Sequence, residues 1–269
     1  MKKRLFLLGG HSLEMLAIRA LLDSNKQEYL DANLDWRNAR LSSYSGIFQH
    51  FLDCGYEFVG VSLVRNFALP NYISITHPER GKEGPAPLEQ VATLLGVSLL
   101  RREKLIAAYS RWLLPELQAA GATPKEIKEL QRQDLIARGV TATDEKLADE
   151  AVAKKECESG ITIIKSDTNK FTAIYDKLRF LEVINLLIYT EDECIYYGAH
   201  RDAVIQEVRR VFPALSTGYS GEDRGGFWGA EHLSKALVEN LIQLIKKVNA
   251  ASDDNLKFTI EAPISQTQV

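Results

Sequence analysis

Tyr72-Ile73-Ser74-Ile75-Thr76-His77-Pro78-Glu79-Arg80 reads as a short buried strand that runs straight into a turn. The turn carries one histidine, one glutamate and one arginine. Upstream, Leu5–Leu8 is a second apolar run, stopped by Gly9-Gly10. Leu13, Leu16, Ala17, Ala20 and Leu21 then recur at helical spacing, so strand, glycine turn and helix follow one another. Glu28–Leu30 and Phe58–Val61 are further strand candidates, with a helix expected around Gly46–Leu52. Strands alternating with helices predict an α/β fold, an N-terminal domain built on a parallel, doubly wound sheet.

From Pro87 to about Cys157 the pattern is helical. Leu88, Val91, Ala92 and Leu95 make one apolar face that ends at Gly96. Two helices are expected over 102–114 and 115–120. Thr123-Pro124-Lys125-Glu126 combines an N-cap threonine, a proline at the first helical position and a capping glutamate, which marks a helix start. Another helix opens at Thr141–Asp144 and is expected to run to about Glu156. The composition changes around Glu158-Ser159-Gly160. The expected division is therefore an N-terminal domain with a helical connector over 1–157 and a smaller C-terminal α/β domain over 160–269. In the second domain strands are expected at Ile161–Ile164, Ile184–Tyr189 and Cys194–Tyr197, and helices at Phe171–Leu178, His200–Val211 and Leu233–Val248. A glycine-rich loop is expected over Ser220–Gly229 and a closing strand over Phe258–Ile260.

The 269 residues carry a formal net charge of -3, so no global basic field draws the chain onto long nucleic acid. Three scattered cysteines, Cys54, Cys157 and Cys194, fit no metal spacing and suit free thiols in a reducing, cytoplasmic compartment. The apolar run after Met1–Arg4 is too short for a signal peptide. No stretch approaches the roughly 20 apolar residues of a membrane span. Neither G-x-x-x-x-G-K-[ST] nor a strand-borne G-x-G-x-x-G occurs, which disfavours P-loop and dinucleotide enzymes.

Four places could carry chemistry. Gly9, Gly10, His11, Ser12 and Glu14 lie where a strand hands over to a helix N-terminus, a setting that favours anions, although His11 or Ser12 could simply cap the helix and Glu14 simply oppose its dipole. Asp31–Asp35 would face the same edge, or form an Asx turn. His77 and Glu79 could ligate a metal and Arg80 could bind phosphate. Gly221, Asp223, Arg224, Gly225 and Gly226 could approach a ligand closely, while Phe227 and Trp228 stack on a base or anchor the loop.

Taken together, the glycine turn with His11, the strand and turn Ile75-Thr76-His77-Pro78, the helix opening at Pro87-Leu88-Glu89-Gln90-Val91 and the late glycine-rich loop resemble the DHH phosphoesterase superfamily with a DHHA1-like C-terminal domain. The resemblance implies manganese or magnesium held by residues from several strand ends, a water activated for attack on a phosphodiester, and a nucleotide, short oligonucleotide or related phosphate as ligand. Matched position by position, Thr76 replaces the aspartate of the signature, His77 keeps its first histidine and Pro78 replaces its second. His11, Asp35, His77 and Glu79 remain as metal candidates, and Gly9, Gly10, Ser12, Arg80 and the glycine-rich loop as ligand candidates. The expected function is a divergent, pseudoenzyme-like DHH protein that binds a phosphate-containing ligand in an interdomain cleft, with catalysis weak or lost. An active metal-dependent phosphodiesterase with an unusual ligand set and a non-enzymatic assembly or regulatory protein, homo-oligomeric or otherwise, are the alternatives.

Overall fold

The computed structural model describes residues 3–34, 39–77, 84–111, 114–158, 160–178, 185–215, 217–220 and 227–260. Two compact units divide between Thr141 and Ala142.

The first unit is built on a four-stranded parallel sheet, with β1 (Arg4–Leu8), β2 (Glu28–Asp31), β3 (Glu57–Val61) and β4 (Tyr72–Ile75) in the order β2-β1-β3-β4. Both faces are covered, which explains why β1 and β3 read as unbroken apolar runs. Phe6, Leu8, Val59, Val61 and Ile75 face a core shared with α1 (Leu13–Ser24), α3 (Pro87–Leu95) and α4 (Arg101–Ser110). Leu5, Leu7 and Phe58 face the opposite way, onto a 3-10 turn at Leu41–Ile47 and α2 (Phe48–Asp53). The apolar alternation of a pleated strand thus places helices on both sides. The expected helix at 46–52 is this 3-10 turn and α2 together.

The helices α5 (Leu114–Ala119) and α6 (Pro124–Ala137) complete the unit. Thr123 caps α6 and Glu126 returns the bond to the Thr123 backbone N–H at 2.8 Å, the reciprocal cap that the sequence spells out. Gly96 ends α3 at φ 70°, a left-handed position that glycine adopts without a Cβ clash.

The second unit begins with α7 (Ala142–Ala153). Asp144 accepts from Thr168 Oγ1 at 2.6 Å and Asp149 pairs with Lys177 at 2.6 Å, which ties α7 to α8 (Phe171–Leu178). Its mixed sheet runs β5-β6-β7-β8-β10-β9, formed by Glu156–Glu158, Ile161–Lys165, Leu186–Tyr189, Cys194–Tyr197, Phe227–Ala230 and Gly218–Ser220 respectively. Only β6 and β7, joined through α8, are parallel. One sheet face buries Ile163, Leu187, Tyr196 and Trp228 against α9 (Arg201–Val211) and α10 (Lys235–Ile260).

Several expectations are corrected. The connector helix stops at Ala153, short of the expected Glu156, and 156–158 is a strand that pairs antiparallel with β6. Phe227, Trp228 and Gly229, expected in the glycine-rich loop, belong to β10. Trp228 is fully buried, so it anchors the core. Phe258–Ile260, taken as a strand, continues α10. No glycine or proline interrupts the chain between Val248 and Ile260, so helix propagation outweighs a three-residue apolar signal.

Candidate functional site

In an open α/β sheet, ligands bind beyond the carboxyl ends of the strands, where the order of connection reverses. Here the chain leaves β1 for β2 on one side and reaches β3 on the other, so the switch point lies between β1 and β3. At this point Gly9 donates to Val61 O at 2.9 Å. A Cβ on Gly9 would lie 2.5 Å from Ser62 O and 2.7 Å from Leu63 Cδ2, so only glycine fits. Gly10, with φ 86°, then turns the chain into α1.

The N-terminus of α1 is closed by the protein itself. Ser12 Oγ accepts from Met15 N–H at 3.1 Å, the capping alternative foreseen for this serine. Leu13 N–H donates to Asp134 Oδ1 at 2.8 Å, and Asp134 Oδ2 accepts from Arg138 Nε at 2.8 Å. A buried carboxylate from α6 therefore stands where an anionic ligand would bind a helix dipole. Asp134 and Arg138 had no signal in the sequence, because they lie some 120 residues from the turn they serve.

Glu14, on the first turn of α1, is 5% exposed. Its Oε1 accepts from Leu88 N–H at 3.1 Å and its Oε2 lies 3.0 Å from His77 Nε2. A carboxylate only accepts, so Nε2 carries the proton and Nδ1 is left as the second donor or acceptor site of the ring. His77 is 39% exposed, so the imidazole stands at the solvent edge backed by a buried anion. Gln90, on α3, donates to the Thr76 carbonyl at 2.7 Å.

The remaining candidates are placed as follows. His11 Nε2 is 3.1 Å from Asn33 O. Asp31 forms an Asx turn with Asn33 N–H at 2.8 Å and pairs with Arg19, so it serves the loop. Tyr44 hydroxyl donates to Leu8 O at 2.6 Å and accepts from Ala32 N–H at 3.0 Å, joining the ends of β1 and β2. Burial pushes its pKa up. Asp35, Glu79, Arg80, Gly221, Asp223, Arg224, Gly225 and Gly226 lie outside the described residues.

A dimetal centre needs several anionic or imidazole donors around closely spaced ions. Among the described residues, no three His, Cys, Asp or Glu side chains come together in a way that could hold a metal ion. His11 and His77 each have a protein partner, and Glu14 has one on each oxygen. The described donor set does not fit a pair of metals.

No family sequence model matches the chain. No curated protein matches it in sequence. In fold it is similar to the DHH domain of a member of a ribosomal-protein family, with a TM-score of 0.55 at 11% identity over 92% of this chain and 87% of that one. It is similar to RecJ from Thermus thermophilus in complex with Mn2+, with a TM-score of 0.51 at 11% identity over 93% of this chain and 52% of that one. A third likeness is to the exonuclease RecJ bound to manganese, with a TM-score of 0.50 at 9% identity over 93% and 90% of the two chains. Among the described residues, no helix is long and apolar enough to cross a membrane. The parallel sheet, its switch point and these likenesses agree: the chain has the fold of the DHH-domain proteins, carried by a divergent sequence.

Proposed function

We propose that this protein binds a phosphate-containing ligand, a nucleotide or a short oligonucleotide, at the carboxyl edge of its first sheet, and that phosphodiester hydrolysis is weak or lost. Two features support the ligand edge. The fold has a switch point there, and His77 stands half-exposed over a buried carboxylate. Arg80, three residues further along the sequence, would pair with phosphate oxygens. Gly221, Asp223, Arg224, Gly225 and Gly226 are the second unit's candidates for the same chemistry.

The observation that carries the loss of catalysis is the engagement of the two buried carboxylates beside α1. Both oxygens of Glu14 and both of Asp134 are committed to protein donors. Thr76 and Pro78 add no anionic ligand. Thermal melting of the full chain with ADP and with a 5′-phosphorylated dinucleotide tests the reading. Either compound should raise the melting temperature in chelator, without manganese. If neither moves it, the proposal fails.

One observation favours a second reading, an active metal-dependent phosphodiesterase. A histidine that donates one ring N–H to a carboxylate is oriented as metal-binding histidines commonly are, so Nδ1 of His77 could take a metal, with Asp35 and Glu79 as the further candidate ligands. On that reading, His77→Ala abolishes a manganese-dependent hydrolysis that the unaltered protein displays.

A further inference from the structure

The backbone at Thr76, next to His77, and at Pro85, before α3, is held by one side chain. Gln90 Nε2 donates to Thr76 O at 2.7 Å and to Pro85 O at 2.9 Å. A carboxamide nitrogen has two hydrogens, so one group serves both carbonyls. Thr76 follows β4 and Pro85 precedes α3, so one side chain ties the exit of β4 to the entry of α3. Gln90 lies in the first turn of α3, and helical side chains lean towards the helix N-terminus, which directs it at these carbonyls. Glu89, its neighbour, is occupied otherwise. It accepts from Ala86 N–H at 2.8 Å and pairs with Arg111.

The same helical turn reaches His77 by a second route. Leu88 N–H donates to Glu14, and Glu14 receives the His77 ring. The bonds form a closed circuit that runs from Thr76 to His77, Glu14, Leu88, along α3 to Gln90, and back to Thr76. One half fixes the histidine's backbone and the other fixes its ring. We infer that Gln90 is the positioning residue of this edge, pinning the backbone at Thr76, beside His77, and at Pro85, before α3, while Glu14 holds the ring. Its importance to ligand binding rests on the reading of the edge given above, but its control of His77 does not.

Two substitutions test this in the full chain. Gln90→Met keeps the length and removes both donors, whereas Gln90→Lys keeps donors on a chain long enough to reach the carbonyls. Ring 15N signals of His77, assigned through His77→Gln, report the ring, and amide hydrogen exchange over 84–90 reports the entry to α3. In Gln90→Met the His77 Nε2 signal should move without any ligand, and exchange at Leu88 should accelerate on the order of 10-fold, the scale of losing about one net hydrogen bond. Affinity for ADP or the 5′-phosphorylated dinucleotide should fall by a similar factor, with little change in the melting temperature. Gln90→Lys should restore the ring signal and the exchange rate. Wild-type ring signals and exchange in Gln90→Met overturn the inference, as does a lysine variant as impaired as the methionine one. A shifted ring in a protein that binds neither compound upholds the positioning role and overturns the ligand reading instead.

Discussion

Replacing Asp134 should loosen α1 more than any exposed carboxylate would. Asp134 is 3% exposed and its Oδ1 receives the buried Leu13 N–H at 2.8 Å. Alanine removes a charge-assisted bond worth about 1.5–3 kcal/mol and a favourable helix-dipole contact worth about 0.3–1 kcal/mol. Arg138 loses its bond to this carboxylate but is 28% exposed, so water replaces most of it. The expected cost of Asp134→Ala is about 3 kcal/mol. Asp134→Asn keeps a neutral acceptor for Leu13 and should cost only about 1 kcal/mol. Amide hydrogen exchange across α1 is the suitable assay, because it reads local opening without requiring both units to unfold together. The alanine variant should exchange roughly 100-fold faster there, and the asparagine variant several-fold faster. Removing Asp134 also frees the helix N-terminus, so inorganic phosphate should slow exchange in Asp134→Ala more than in the unaltered protein. Unchanged α1 protection in the alanine variant, or equal losses in both variants, would refute the capping argument.

Other consequences follow from the same geometry. Gly9→Ala places a Cβ 2.5 Å from the Ser62 carbonyl, so β1 and β3 must part, and urea denaturation should register a loss of about 1–3 kcal/mol. Burial pushes the Cys194 thiol up to about 12, opposed in part by its hydrogen bond with the Ala230 backbone. At pH 8 a thiol reagent should therefore modify the exposed Cys54 and Cys157 and reach Cys194 only after denaturation; three fast thiols in the native protein contradict this. Glu126 is held down at about 2 from its ordinary 4.5, first by Arg101, then by the Thr123 backbone N–H and the Thr123 hydroxyl. A lowered carboxyl pKa stabilises the fold above the ordinary value and loses that contribution as the pH falls through the lowered one. NMR titration of Glu126 should give a midpoint near 2 that rises towards 4.5 in Arg101→Met.

Much of the fold was legible because it is written locally. The Thr123–Glu126 capping box, the Gly96 stop, the apolar runs of β1 and β3 and the Cys194–Tyr197 strand each depend on neighbours within a few residues. The short strands β5 and β9 were not legible. Their three residues carry too little pattern, and pairing with β6 and β10 is what makes them strands. The helical end of α10 was misread for a related reason, since a three-residue apolar run fits either period.

The sequence marks the strand ends at Gly9-Gly10 and His77 but not how they are wired. Whether Glu14 opposes a dipole, binds a ligand or holds His77 depends on a 3.0 Å approach between α1 and the exit of β4. Asp134 and Gln90 look like ordinary polar residues on helices. Their roles arise from tertiary contacts, one spanning 121 positions and the other tying the exit of β4 to the entry of α3.

The central claim is that this DHH-fold chain holds a phosphate ligand without assembling the metal pair of a phosphodiesterase. Calorimetric titration of the 5′-phosphorylated dinucleotide into the chelator-stripped protein, repeated with manganese and followed by product analysis, tests it most directly. The account predicts saturable binding of similar affinity in both conditions and an intact dinucleotide at the end. Binding that appears only with manganese, accompanied by release of mononucleotides, would contradict it.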